Sequence, residues 1–307
     1  MRADVRITDF EWYKALKSLS GLDEVNFWLP GGKQGFGAVA LGELVLFKLH
    51  APHNAIVGGG VFTHFTFLPV DLAWEAFETK NGARSLEEMK TRIAHYRGGS
   101  ANSRENYIIG NVILSNPFFL DEARWIPAPR DWKQGTQKDK TYDLSTGVGR
   151  EIWDALVASS ATIPAIGGVP PGQSPRYGPP TIIEPRMGQG GFRFRVADAY
   201  GRRCALSGER VLPALVAAHI RPYKNDGPHD VKNGLLLRSD IHVLFDKGYI
   251  TVTPDHHVEI SKRLKTEFGN GRDYLRHHGS AIQLPGLPSL HPAAEYLRWH
   301  NERVYVG

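Results

Sequence analysis

Between Val216 and Gly248 the chain reads VAAHIRPYKNDGPHDVKNGLLLRSDIHVLFDKG, a glycine-punctuated stretch that collects His219, His229 and His242 with several aspartates. Cutting a phosphodiester needs an in-line water, a base to deprotonate it, and a divalent cation to neutralise the charge that develops on phosphate and leaving oxygen. These residue types can supply all three. His219 is a candidate base, because an unperturbed imidazole titrates close to operating pH. His242 and Asp246 stand four residues apart, so on a helix they share a face and can hold a cation between them. Asn233 follows the loop and can hydrogen-bond across it, holding the histidine strand in place. The bland readings are a structural hydrogen bond for Asp246, one turn before the helix stop, and a solvated loop position for His229, within reach of a phosphate.

Positioning these groups takes a strand, a loop, a strand and a helix. VLPALVAAHI is mostly apolar and reads as a strand that delivers His219 at its end. Pro222, Gly227 and Pro228 turn the chain, NGLLLR returns as a second strand, and SDIHVLFDKG is a short helix with Ser239 as N-cap and Gly248 as stop. Upstream, GQGGFRFRVADAY reads as a helix over 192–200 with Val196 and Tyr200 on one face and Arg193, Arg195, Arg202 and Arg203 exposed. Arg193, Arg195, Arg221, Lys224 and Arg238 are expected to contact a nucleic-acid backbone.

With these residues in order, the segment resembles the HNH endonucleases of the ββα-metal fold. The likeness is carried by AAHI, by NGLLL, by a histidine nine residues after the asparagine, and by the GQGxFR, RCALSG and H-x-x-F-D-x-G strings over about 186–262. It implies that His219 is the general base, Asn233 the central asparagine and His242 a metal ligand. The implied cofactor is a divalent ion, Mg²⁺ or Mn²⁺ first, with Co²⁺, Ni²⁺ or Zn²⁺ as alternatives. Two departures stand out. Many HNH enzymes carry an aspartate ligand just before the base, where this chain has Ala218, so Asp246, Asp240, or phosphate and water must complete the shell. The paired cysteines of a zinc ribbon are also missing, because Cys204 stands alone.

Composition bounds the rest. A chain of 307 residues exceeds one typical core and sets a prior of two domains. With 41% apolar and 22% charged residues, it is expected to be globular rather than disordered. One cysteine excludes an intramolecular disulfide and fits a reducing cytoplasm. No apolar run reaches the length of a signal peptide or a membrane span. From Arg186 to Lys247 there are 11 Lys/Arg against 6 Asp/Glu, whereas the remainder is balanced. The whole basic excess therefore surrounds the candidate site, as a polyanion partner would require.

A Pro/Gly/Ser-rich linker over 159–185 is expected to separate a domain at 1–158 from one at 186–307. The N-terminal domain reads as α+β: helices at TDFEWYKALKSL, LPVDLAWEAFET, SLEEMKTRIAHYR and near 146–158, and strands at NFWLP, FGAVA, ELVLFKLH, AIVGGGVFTHFTFLP and YIIGNVILSNPFFL, in a largely antiparallel, strongly curved sheet. Its GGKQGFG and VGGGVF pieces lack the P-loop and dinucleotide-binding spacings and read as turns and sheet bends. The strand order, with GELVLFKL and IVGGGVF, resembles the PUA-like superfamily of EVE, YTH, ASCH and SRA domains. That likeness implies an aromatic pocket for a flipped or modified base, for which Trp28, Phe36, Asn54, Phe62 and Trp132 are candidates.

The expectation for the whole chain is a metal-dependent endonuclease acting on double-stranded DNA that carries modified bases. A double-strand cut needs two active sites, so a homodimer is expected. The competing readings are a non-cleaving nucleic-acid sensor with a degenerate HNH motif and an RNA-directed nuclease.

Overall fold

The computed structural model describes residues 1–32, 35–98, 106–133, 139–159 and 188–307. Nearly all of the expected linker lies outside the described residues. The chain divides into two units, Met1–Gly188 and Gln189–Gly307.

In the first unit β1 (Arg2–Thr8), α1 (Phe10–Lys17), β2 (Glu24–Leu29), β3 (Leu44–Leu49), β4 (Ala55–Pro69), α2 (Val70–Phe77), α3 (Leu86–Tyr96), β5 (Ile108–Phe119), β6 (Ile126–Pro127), β7 (Lys140–Asp143) and α4 (Gly147–Ser159) follow in order. They build one sheet in the order β2-β5-β4-β3-β1-β7, with β6 on β4. Among the described residues only the β1/β3 pairing is parallel. β3 is buried along its whole length because both faces are covered. Leu44 and Leu46 pack in a core with Trp153 and Leu156 of α4, and Phe47 meets Trp12 of α1 at a ring distance of 4.9 Å. Register shifts within β4 bend the sheet.

Local signals explain the helix starts. Asp9 accepts the Trp12 amide at 2.6 Å and caps α1. Ser85 accepts the Glu88 amide at 3.2 Å, while the Glu88 carboxylate takes the Arg84 amide at 2.9 Å, so α3 keeps only half of the reciprocal capping pattern. FGAVA is not a strand. The Glu43 carboxylate accepts the amides of Ala40 and Arg2 at 2.7 and 2.8 Å and turns this segment into β3, whose two edges are already paired with β1 and β4.

The second unit comprises α5 (Gln189–Ala199), β8 (Leu215–His219), β9 (Gly234–Arg238), α6 (Ser239–Asp246), β10 (Ile250–Val252), β11 (Val258–Ile260), α7 (Arg263–Phe268), α8 (Arg272–Leu275) and α9 (Ala294–Arg303). β8 and β9 are antiparallel, with His219 opposite Gly234. The strand at VLPALVAAHI is shorter than its apolar run, because Leu212–Ala214 form a 3₁₀ turn around Pro213. Phe192, Val196 and Tyr200 of the α5 segment pack on this ribbon with Leu235–Leu237, Ile241 and Phe245. Cys204 is buried, and its sulfur accepts the amides of Ser207 and Arg238 at 3.4 and 3.2 Å, bracing the start of α6.

Ser239 is the first residue of α6 rather than its cap. β9 runs into the helix without a break, so the cap position falls on extended Arg238, which makes no side-chain cap bond. Gly248 ends the helix as expected, at φ 76°. A Cβ there would lie 2.0 Å from the Val304 carbonyl oxygen, so the C-terminal segment seats directly on this glycine. The DHH segment at 255–257 is the tip of the β10–β11 hairpin.

Candidate functional site

His219 occupies the last position of β8. Strand alternation turns the preceding Ala218 into the apolar core, where it is fully buried opposite Leu235. The imidazole of His219 lies flat on Phe192 of α5, centroids 3.9 Å apart and planes 14° apart.

The loop after His219 is closed by Asn233, which is fully buried. Its Oδ1 accepts the Arg221 amide at 2.8 Å, and its Nδ2 donates to the carbonyls of Arg221 and Pro228 at 2.9 and 3.0 Å. One side chain thus ties both limbs of the loop together. Gly227 permits this, since a Cβ would fall 1.8 Å from the Arg221 carbonyl oxygen. Pinning Pro228 brings the next residue back over the strand. His229 Nδ1 then lies 2.9 Å from His219 Nε2, with Tyr223 stacked on the His229 ring at 4.8 Å and 9°. His229 is therefore not the solvated loop residue expected from the sequence. The signals available in the sequence were its fixed Gly-Pro lead-in and its short separation from Asn233.

From α6, His242 and Asp246 face the same cleft, Nε2 to Oδ2 3.3 Å. The cleft holds about 380 Å³ and is lined by Ala217, His219, Tyr223, Lys224, His242 and Asp246. Burial, with the positive fields of His229 and His242 added, pushes His219 down to about 4. Its ring is therefore neutral at physiological pH and has a lone pair to offer. Among the described residues no group of three or more His, Cys, Asp or Glu converges as a ready metal cage. His242 and Asp246 offer a nitrogen and an oxygen, which suits a divalent cation that keeps water and phosphate oxygens in its shell.

Asp240, the other candidate ligand, is committed elsewhere. It takes a two-point bond from Arg238 at 2.6 and 2.7 Å and a third from the Tyr274 hydroxyl at 3.0 Å. These bonds, Arg238 foremost, hold its carboxyl down at about 2. Two positions from His242, it projects from a different face of α6. Arg193, Arg195, Arg202 and Arg203 are half-buried rather than exposed. α5 packs its apolar face so closely that the arginine stems are covered, and burial lowers the pKa of Arg195. Arg221 is held by the Asn225 carbonyl at 2.6 Å. Lys224 is exposed beside the cleft.

In the first unit a cleft of about 230 Å³ is lined by Arg6, Asp9, Trp12, Trp28, His50 and Tyr96, among others. Of the five expected pocket residues it contains Trp28, whose indole nitrogen donates to the Asn81 carbonyl at 2.9 Å. Phe36 and Phe62 pair with each other at 4.8 Å, and the Arg6 guanidinium lies 4.6 Å over Phe36. Asn54 and Trp132 meet a different group, the buried Lys48: Nζ donates to Asn54 Oδ1 at 3.2 Å and stands 5.1 Å over the Trp132 ring. Sequence reasoning missed Tyr96, which packs near Trp28 at 6.1 Å from the end of α3.

Residues 204–253 match the HNH endonuclease family model. No curated protein sequence matches the chain. Among solved structures, an ASCH protein from Zymomonas mobilis is similar over 51% of this chain and 94% of its own, at 14% identity and a TM-score of 0.35. A Y47F mutant of that protein is similar over 50% of this chain and 97% of its own, at 13% identity and a TM-score of 0.33. A structure described as the modification-dependent TagI restriction endonuclease is similar over 98% of this chain and 81% of its own, at 14% identity and a TM-score of 0.28. The segment matched by the family begins at the Cys204 turn that braces α6 and ends just beyond β10. It therefore takes in the whole β8–loop–β9–α6 frame, and the protein carries an HNH endonuclease domain.

Proposed function

We propose that the protein is a metal-dependent DNA endonuclease whose first 158 residues recognise a modified base and whose residues 186–307 cut the strand. The observation that carries the nuclease assignment to particular residues is the convergence of His219, His242 and Asp246 on one cleft, under a loop tied by Asn233. Neutral His219 takes the proton of the attacking water. His242 and Asp246 would hold the cation, which when bound supplies positive charge for the phosphate and the leaving oxygen. Lys224, exposed at the rim, attracts the DNA backbone.

Base recognition is supported by the cleft of the first unit. The exposed ring of Tyr96 offers aromatic surface, with the largely buried Trp12 and Trp28 behind it, and Asp9 and His50 offer hydrogen bonds to a base edge. The buried Ala218 favours a second reading, a binding protein with a weakened metal site, because no carboxylate precedes His219.

Incubating DNA with the full chain and Mg²⁺, Mn²⁺, Co²⁺ or Ni²⁺ distinguishes the two. Breaks that appear with metal and vanish in His219→Ala establish the nuclease reading; binding without cleavage under every ion establishes the sensor. For recognition, duplexes that differ only in base modification are compared in EDTA. Equal affinity for all of them sinks the modified-base assignment and leaves the nuclease one standing.

A further inference from the structure

His219 and His229 present two ring nitrogens 2.9 Å apart. A contact this short holds one hydrogen, and its location decides what His219 can do. With the hydrogen on His229 Nδ1, the neutral His219 ring carries its own proton on Nδ1 and its only lone pair, on Nε2, is already occupied. Such a ring accepts nothing from water. With the hydrogen on His219 Nε2, the lone pair on His219 Nδ1 is free and His229 Nδ1 is the acceptor. Only the second arrangement makes His219 a base.

We infer that His229 is the positioning residue for His219, accepting the Nε2 hydrogen so that Nδ1 is the nitrogen that takes the proton from the attacking water. This inference rests on the reading of His219 as the base. In the step itself a water oxygen bonds to phosphorus, its proton passes to His219 Nδ1, and the bond from phosphorus to the leaving oxygen breaks, that oxygen taking a proton from solvent. The His219 ring becomes an imidazolium whose Nε2–H···Nδ1 bond is now charge-assisted and stronger. An uncharged His229 in this arrangement stabilises the charged ring more than the neutral one, which favours proton transfer, whereas the positive field that helps hold His219 down belongs to the protonated form of His229.

The surroundings are built for this pair. Phe192 fixes the plane of His219 and Tyr223 fixes the plane of His229, each by near-parallel stacking. Asn233 binds the carbonyl of Pro228, the residue before His229, so the same asparagine that closes the loop sets the height of His229 over the strand. Most histidine bases are oriented by a carboxylate or a carbonyl. Here a second histidine does so, which keeps negative charge away from the entering phosphate.

The test compares His229→Phe, which keeps the ring beside Tyr223 and has no acceptor, with His229→Asn, whose Oδ1 falls near the position of Nδ1. Full-length protein is assayed on supercoiled plasmid with Mn²⁺, next to His219→Ala. The expected result is that kcat falls about ten- to a hundredfold in His229→Phe, part of the 10²–10⁴ that a positioned base contributes. KM is expected to change by less than about twofold, and most of kcat returns in His229→Asn. In wild-type protein, nitrogen-15 shifts should identify His219 as the Nε2–H tautomer. An inactive His219→Ala with both His229 variants equally impaired, or both fully active, overturns the inference alone. So does a wild-type His219 found as the Nδ1–H tautomer, which can be read even if a variant fails to fold. An active His219→Ala overturns the base assignment itself.

Discussion

Replacing Asn233 with alanine removes three hydrogen bonds at once and leaves the Arg221 amide and the carbonyls of Arg221 and Pro228 without their partner. At about 1 kcal/mol net for each bond the loss is about 3 kcal/mol, and it rises toward about 6 kcal/mol if the orphaned groups stay dry. Water entering the vacated amide volume brings the value toward the lower figure. A domain stable by about 5–15 kcal/mol survives such a loss, with its loop loosened. Asn233→Asp keeps the acceptor for the Arg221 amide but turns both donor contacts into oxygen–oxygen repulsions, so it should be no better than alanine. Amide hydrogen exchange over residues 220–230 reads the loop directly, and urea unfolding of the C-terminal unit reads the stability. Faster exchange in the loop, a transition weakened by about 3 kcal/mol or more, and a fall in cleavage should appear together. An alanine variant with unchanged exchange and a shift below about 0.5 kcal/mol refutes the reasoning, because the buried amide would then not be what closes the loop.

Further outcomes follow from the same geometry. His300 is buried, lies flat on Phe245 at 3.8 Å, and is bonded to Thr251 Oγ1 and the Phe245 carbonyl. Burial pushes it from 6.5 down to about 4, so the unfolded chain binds more protons in that window and stability falls as pH falls. A loss of about 2 kcal/mol between pH 6.5 and 5 is expected for the C-terminal unit, with His219 acting in the same direction, and urea titrations at the two pH values, repeated on His300→Gln, check it. Gly248→Ala combines a left-handed backbone with a Cβ 2.0 Å from the Val304 carbonyl oxygen. It should destabilise the unit by about 2 kcal/mol or more and expose the Val306 amide, which now donates to Gly248, to exchange. Asp246→Asn should raise the Mg²⁺ concentration needed for half-maximal cleavage by about tenfold or more, whereas Asp240→Asn, remote from the cleft, should leave it unchanged. Metal titration of cleavage separates the two.

The sequence by itself determined the frame of the candidate site. An apolar run ending in His219, a return strand after Asn233, and a helix that puts His242 and Asp246 on one face are all encoded by periodicity and turn residues over about thirty positions. The β-branched and aromatic runs of β2 to β5 were equally legible, as were the stop at Gly248 and the hairpin tip at 255–257, but β1, β6 and β7 were not, because they are polar or very short and gain their strand character only by pairing with β3 and β4 or with β1. FGAVA misled because a short alternating run has the local signature of a strand, and whether it pairs depends on which sheet edges are free. Only the tertiary structure decided that Ala218 faces the core, that Asp240 is taken by Arg238 and Tyr274, and that the arginines of α5 are half-covered. It also decided that His229 returns to His219. Local spacing states which face of an element a residue occupies, but a loop's path is set by a few hydrogen bonds between groups far apart in sequence. Here one buried asparagine amide selects that path, and with it the partner of the base.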